Sequence, residues 1–342
     1  MKTEGNFLPA EWVEQSGVQL TWPDAETDWV DLLDEVVPVY EQMARAILER
    51  EKLLIVCRDK SNLPEFLQAE NERLLIHEMP INDTWARDHA ALTIMEEGEP
   101  VLLNFRFNGW GMKFAACDDN QITPTLFEQA AFQPGVPMVD YSYFTFEGGA
   151  IESNDAGCIL TTSECLLSKN RNEHLSKSEI EGFLKNTLEA GKILWLDHGF
   201  LEGDDTDSHI DTLARFCSED TIAYVKCDDE TDMHFEALKK MKEQLQTLTD
   251  LENKPFKLVA LPFADAVFAE DGHRIPATYA NFLIINGAVL FPIYGVKQDK
   301  EAIEVMQSLF PDREIIPINS VPLIKQHGSI HCISMQFPLG VL

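Results

Sequence analysis

Nowhere does this sequence hold the ~18 consecutive apolar residues that a membrane-spanning helix needs. Cations are scarce: 27 lysines and arginines stand against 58 acidic residues, for a formal charge of −31. That balance argues against nucleic acid and anionic membranes as partners, because both would repel the chain. It favours the approach of a small polycation, although solubility alone also accounts for it. Cys-x-x-Cys is absent. The seven cysteines (Cys57, Cys117, Cys158, Cys165, Cys217, Cys227 and Cys332) are odd in number and mostly sit in apolar runs. A disulfide framework or zinc ribbon therefore does not fit, and each cysteine reads first as a small buried hydrophobe. Residues 1–6 lack the basic-then-apolar layout of a secretory signal, so a cytoplasmic protein is expected. With no linker or low-complexity tract in sight, residues 1–342 read as one catalytic domain.

What is present is an alternation. Residues 31–50 carry apolar side chains at helical spacing, and the apolar run 53–57 follows as a buried strand. Strand candidates at 91–94 and 101–105, joined by a hairpin turn at 96–100, precede a helix near 123–132 and a strand at 138–143. The order returns at 149–151, 158–161, 177–189 and 192–196, where Ser176 or Ser178 caps the helix. It returns again at 210–217, 221–225, 233–248 and 257–261, and at 281–285, 288–293, 300–309 and 314–318. A fifth copy closes from the two ends, with strands at 330–335 and 18–21 serving the first helix. Strand–strand–helix–strand units of roughly 60–70 residues suggest radial repetition, with a doubly wound sheet as the competing architecture.

Short polar segments recur at matching places. Asp88 lies just before one first strand; Glu147, followed by two glycines, opens another; His209 and Asp211 open a third; Cys332 falls within the strand from the C-terminus. If first strands surround an axis, these side chains converge there. His209 and Asp211, two apart in a strand, would share one face. Each alone also reads as architecture: a polar edge strand, a salt-bridge corner at Trp85-Ala86-Arg87-Asp88, an Asn-Gly turn at Asn108-Gly109. The acidic run 204–211 could hold a divalent cation, but it lacks the glycine and closing glutamate of a calcium loop.

Together the segments resemble a known family, the agmatine deiminases and the Porphyromonas-type peptidyl-arginine deiminases. The resemblance is carried by Pro9-Ala10-Glu11-Trp12, Thr21-Trp22-Pro23, Asp83-Thr84-Trp85-Ala86-Arg87-Asp88-His89 and Phe107-Asn108-Gly109-Trp110-Gly111. It continues through Glu147-Gly148-Gly149, the 161–167 run with Asn170-Arg171-Asn172, the 203–211 run, Tyr279-Ala280-Asn281-Phe282 and Ile330-His331-Cys332-Ile333. It implies a pentein fold, an α/β propeller of five ββαβ blades with pseudo-symmetry. It also implies Cys332 as nucleophile, His209 as acid/base, Asp88, Glu147 and Asp211 as guanidinium partners, and Trp85 lining the substrate slot, without metal or organic cofactor. Three positions depart from the family pattern. Ser208 and Ala90 stand where glycine is common, and Gln326-His327-Gly328-Ser329 replaces a glycine-rich run.

The implied reaction is hydrolysis of a small cationic guanidine, agmatine to N-carbamoylputrescine and ammonia, through an amidino-thioether on the cysteine. Carboxylates grip the flat cation, and a bound cation with a protonated His209 favours the thiolate. The alternatives are a free- or peptidyl-arginine deiminase of the same fold and a non-catalytic polyamine-binding protein; an amidinotransferase on this fold would use the same residues. Asp204, Asp205 and Glu152 are unranked candidates for the substrate's far amine, and the oligomeric state is open.

Overall fold

The structure is a computed structural model that describes residues 7–342; residues 1–6, on which the reading of the N-terminus rests, lie outside the described residues. It is a mixed α/β fold in which one plan is used five times. Leu92–Glu96 pairs antiparallel with Glu99–Arg106, which runs parallel to Met138–Thr145. Ile151–Ser153, Cys158–Thr162 and Lys192–Leu196 repeat this, as do Ala214–Ser218, Thr221–Lys226 and Lys257–Pro262. Leu283–Ile285, Ala288–Ile293 and Glu314–Asn319 make the fourth copy. In the fifth, Ser334–Pro338 from the C-terminus pairs antiparallel with Gln15–Thr21, which runs parallel to Lys52–Cys57, and Leu74–Glu78 adds a fourth strand. No hydrogen-bonded strand pairing joins these sheets among the described residues, so the doubly wound alternative is set aside.

The local reasons are simple. The first two strands of a unit need only a hairpin, whereas the parallel third strand needs a crossover. A helix supplies it each time: Leu33–Leu48, Ile122–Glu128, Lys177–Thr187, Phe235–Leu245 and Asp299–Leu309. Leu33–Leu48 buries Val36, Val39, Tyr40, Met43 and Ile47 along one stripe, the spacing of a core-facing helix. Lys177–Thr187 opens with a capping box between Ser176 and Glu179. The second strands read as apolar runs because both of their faces are covered, as in Cys158–Thr162, which is buried throughout. No helix among the described residues is long and apolar enough to cross a membrane.

One expectation fails in a way that matters. The first strands begin later than the sequence pattern suggests. A single turn of helix comes before three of them, at Ala86–His89, Gly148–Ala150 and Ile210–Thr212, and a turn over residues 330–333 comes before Ser334–Pro338. Cys332 is therefore in a turn, not in a strand. His209 and Asp211 do not share a strand face either: His209 caps the one-turn helix that contains Asp211. The apolar residues between these polar ones satisfy a tight turn as well as a strand, because both bury them; Ile210 and Ile330 are fully buried.

Candidate active site

These pre-strand turns bring the polar segments together. The tightest meeting point is Gly149. A Cβ there would lie 2.6 Å from His209 Nδ1, 2.9 Å from Asp88 Oδ1 and 3.2 Å from Asp211 Oδ2, so only glycine leaves room for the three side chains. Asp88 accepts from the Gly149 amide at 3.0 Å and from Trp110 Nε1 at 2.9 Å. His209 Nδ1 lies 3.7 Å from Asp88 Oδ1, and neither ring nitrogen has a hydrogen-bond partner among the described residues. The Cys332 thiol is 3.9 Å from Asp211 Oδ2 and receives the Asn281 amide, Nδ2 to sulfur, at 3.2 Å.

The site opens through a cleft of about 450 Å³ lined by Asp28, Asp83, Trp85, Asp88, Trp110, Phe114, Asp205, Thr206, Gln326, His327, Gly328 and Cys332. Asp211, His209 and Glu147 are fully buried, one layer deeper. Trp85 forms a wall and donates from Nε1 to Asp83 Oδ2 at 2.8 Å. Gly328 is required beside it, since a Cβ there would meet Trp85 Cζ3 at 2.0 Å. Of the three candidates for a far amine, only Asp205 lines the cleft. Asp204 is spent on the backbone amides of Thr206 and Ser208, and Glu152 is bound to Arg215.

The departures from the family pattern now have a geometry. Ser208 and His327 sit at φ +62° and +68°, backbone that glycine adopts without cost. The residues replacing glycine there carry that strain while contributing side-chain bonds: Ser208 Oγ to Glu164 at 3.2 Å, and His327 Nδ1 to the Gly203 carbonyl at 2.7 Å.

Burial sets the protonation states. It pushes Asp88's carboxyl up to about 8, helped by the charges of Asp211 and Glu147. Burial works against Asp211 too, but the bond to His331 and the charges around it hold that group below its usual range. The Cys332 thiol is raised well above its ordinary value by burial and by Asp211 and Asp88. Burial also brings His209 down to about 3. Burial thus favours the neutral imidazole, which can accept a proton.

Glu147 has a cationic partner within the protein. Both of its oxygens are 2.9 Å from Arg171 Nε, with both side chains fully buried, so Glu147 already holds a guanidinium that belongs to the protein. Arg171 also binds Asp207 at 2.6 Å and the Thr206 carbonyl at 2.9 Å, which fixes the loop leading to His209. Glu147, Cys165 and His209 offer ligand-type atoms within 4.8 Å of one another, but Arg171 occupies the carboxylate and burial keeps the Cys165 thiol protonated, a poor set for a divalent cation. Reasoning from sequence gave no role to Asn281, Arg171 or Trp110. All three lie in the segments that carry the family resemblance, and Asn281 occupies the pre-strand position of the fourth unit.

Comparison with known proteins agrees with this geometry. The profile of the Porphyromonas-type peptidyl-arginine deiminases matches residues 7–338. A Porphyromonas gingivalis protein, described provisionally as an arginine deiminase, is 48% identical with a TM-score of 0.93, over 98% of this chain and 99% of its own. The agmatine deiminase of C. jejuni, solved as a Cys-to-Ser variant with substrate bound, is 36% identical with a TM-score of 0.90, over 98% and 97%. A Vibrio parahaemolyticus protein provisionally named an agmatine deiminase is 32% identical over 98% of this chain and 97% of its own. With its segments in family order, two carboxylates and a histidine gathered at one glycine and a thiol beside one of those carboxylates, the chain belongs to the Porphyromonas-type peptidyl-arginine deiminase family and is a guanidino-group deiminase, a hydrolase of C–N bonds other than peptide bonds.

Proposed function

We propose that the substrate is agmatine and that Cys332 attacks it. The observation that carries the choice of substrate is the lining of the cleft. Asp28, Asp83, Asp88 and Asp205 face it, and among the described residues no lysine or arginine lines it. A substrate with a carboxylate beside its guanidinium tail, as in free or C-terminal arginine, would find no cation there. A substrate with an ammonium at its far end finds carboxylates.

In this reading the guanidinium enters beside Trp85, and Asp88 ionises as the cation arrives. Asp88 and Asp211 bind its N–H groups and set its plane toward the sulfur. Neutral His209 takes the thiol proton, the sulfur bonds to the guanidinium carbon, and the resulting imidazolium returns that proton to the departing nitrogen. Ammonia leaves and an amidino-thioether remains on Cys332. A water then loses a proton to His209 and adds to the same carbon, the C–S bond breaks, and the ureido product leaves with the thiol restored. Glu147 acts here through Arg171 and the loop behind His209 and does not grip the substrate. With agmatine the product is N-carbamoylputrescine.

We also infer that the five units surround one axis as a propeller and form a single catalytic domain. What supports this is that the fifth unit is completed by strands from both ends of the chain, Ser334–Pro338 pairing with Gln15–Thr21. A reducing, cytoplasmic setting suits the seven free cysteines. The test is ureido-product formation from agmatine, free arginine and a C-terminal-arginine peptide in parallel, with Cys332→Ala as control. Turnover of agmatine that is lost in C332A is expected. Preference for either arginine substrate would overturn the substrate assignment, and silence on all three with folded protein would favour a polyamine-binding role.

A further inference from the structure

Directly before the nucleophile stands a buried histidine for which the reaction above has no use. His331 Nδ1 is 2.7 Å from Asp211 Oδ2, and His331 Nε2 is 2.7 Å from Glu11 Oε2. Glu11 in turn accepts from Arg215 Nη2 at 2.8 Å and from the Ile284 amide at 2.6 Å, and Arg215 continues to Glu152 and to the Phe282 carbonyl. Arg87 completes the surroundings, with Nη2 at 3.8 Å from Glu11 and Nε donating to the His331 carbonyl at 3.3 Å. The charged groups that face the imidazole are thus Asp211, Glu11, Arg215 and Arg87. The chain of contacts starts at residue 11 and ends on the carboxylate beside the thiol.

Asp211 and Asp88 are both buried carboxylates in one site, yet their partners differ. Asp88 accepts from neutral donors only, Trp110 and the Gly149 amide. Asp211 has the imidazole and, at 3.9 Å, the Cys332 thiol on Oδ2, while its Oδ1 is buried without a hydrogen-bond partner among the described residues. A carboxylate held by one oxygen keeps a fixed plane and leaves the other oxygen for a ligand. A buried carboxylate also needs a donor that stays in place if it is to remain ionised.

We propose that His331 is a positioning residue: its Nδ1–H donates to Oδ2 of Asp211, keeps that group ionised and reserves Oδ1 for the guanidinium, while its Nε2–H donates to Glu11 and holds the ring from behind, so that the ring between the two carboxylates carries both protons. This deepens the deiminase reading and rests on it.

Two substitutions separate positioning from packing. In His331→Asn the amide nitrogen stands where Nδ1 was and retains the bond to Asp211. In His331→Gln it stands where Nε2 was and retains only the bond to Glu11. The expected result is a loss in kcat/KM for agmatine of about 10- to 100-fold in H331Q, with the acidic limb of its pH profile moved upward, and recovery of most of that loss in H331N. Equal losses with an unmoved pH profile, or no loss in either variant, would overturn the proposal. A measurement on the wild-type protein needs neither turnover nor a variant: nitrogen-15 NMR of the histidine rings reads which nitrogen of His331 carries a proton. A proton on Nδ1 at pH 7 is expected, and its absence there overturns the proposal. Should wild-type protein leave guanidines untouched, the functional reading falls while the NMR measurement still decides the role of His331.

Discussion

Asn281 grips Cys332 at two points. Its Nδ2 donates to the sulfur at 3.2 Å, while its Oδ1 accepts from the Cys332 amide at 3.3 Å and from the His331 amide at 3.0 Å. The side chain thus fixes the turn that carries the proposed nucleophile and, in that reading, offers a donor to the negative charge that would form on sulfur. Asn281 does not line the cleft. Asn281→Ala is therefore expected to lower kcat by about 100-fold, the loss usual for one preorganised donor, with KM little changed. Steady-state kinetics with agmatine check this; a rise in KM at constant kcat would instead place Asn281 in substrate binding.

Gly149→Ala tests the convergence itself. The added methyl would push on His209, Asp88 and Asp211 at once. Because no positive φ is involved, the backbone tolerates alanine, and the damage should fall on activity. A drop in kcat/KM of at least about 100-fold, the effect of an ångström-scale misplacement, is expected with a folded protein by circular dichroism. Wild-type kinetics in G149A would mean that the three side chains do not act together.

Arg171 and Glu147 are a fully buried ion pair, and breaking one side strands the other. Arg171→Met should destabilise the protein by about 3–5 kcal/mol, measured by denaturant unfolding. Adding Glu147→Gln should restore part of that loss, because the uncompensated charge is gone. A double variant less stable than Arg171→Met alone would contradict this account.

Asp205 is partly exposed at the cleft, 3.8 Å from His327 Nε2. Asp205→Asn is expected to raise KM for agmatine by about 3- to 10-fold and leave kcat unchanged, as fits a screened charge pair with the substrate's far ammonium. An unaltered KM would assign that end of the substrate to Asp28 or Asp83.

The protonation states predict how stability varies with pH. Asp88 is raised to about 8, and Asp83, Asp119, Glu51 and Glu152 to about 7, chiefly by burial. Each holds a proton when folded that it has released when unfolded, so its stabilising contribution is complete below the unfolded value and is lost as pH rises through the folded one. His209 and His89, lowered to about 3 by burial, work oppositely, but only below about 6.5, the ordinary histidine value. Between pH 6.5 and 8 the five carboxyls outweigh the fading histidine titration, and Tm should fall, each fully protonated group contributing up to about 1.4 kcal/mol per pH unit. Asp88→Asn should flatten the upper part of that slope. A Tm that rises from pH 6.5 to 8 would refute these assignments.

The order of elements and the recurring strand–strand–helix–strand plan were legible in the chain, because apolar periodicity is a property of neighbouring residues, and Cys332, His209, Asp88, Asp211 and Trp85 were legible as candidates through the motifs that carry the family resemblance. The pre-strand turns were not, since a short apolar–polar alternation fits a strand and a single helical turn equally well. Nor was the partner of Glu147, which lies 24 residues away at Arg171, or that of His331, which lies at Glu11 near the other end of the chain.

Composition and pattern by themselves determined an acidic α/β chain built from repeats, with a thiol, a histidine and carboxylates at recurring places. Only the folded arrangement decided which carboxylate is free for a ligand and which is already satisfied, and which groups are charged. Those properties depend on burial and on through-space distances of a few ångströms, which the spacing of residues along a chain does not encode.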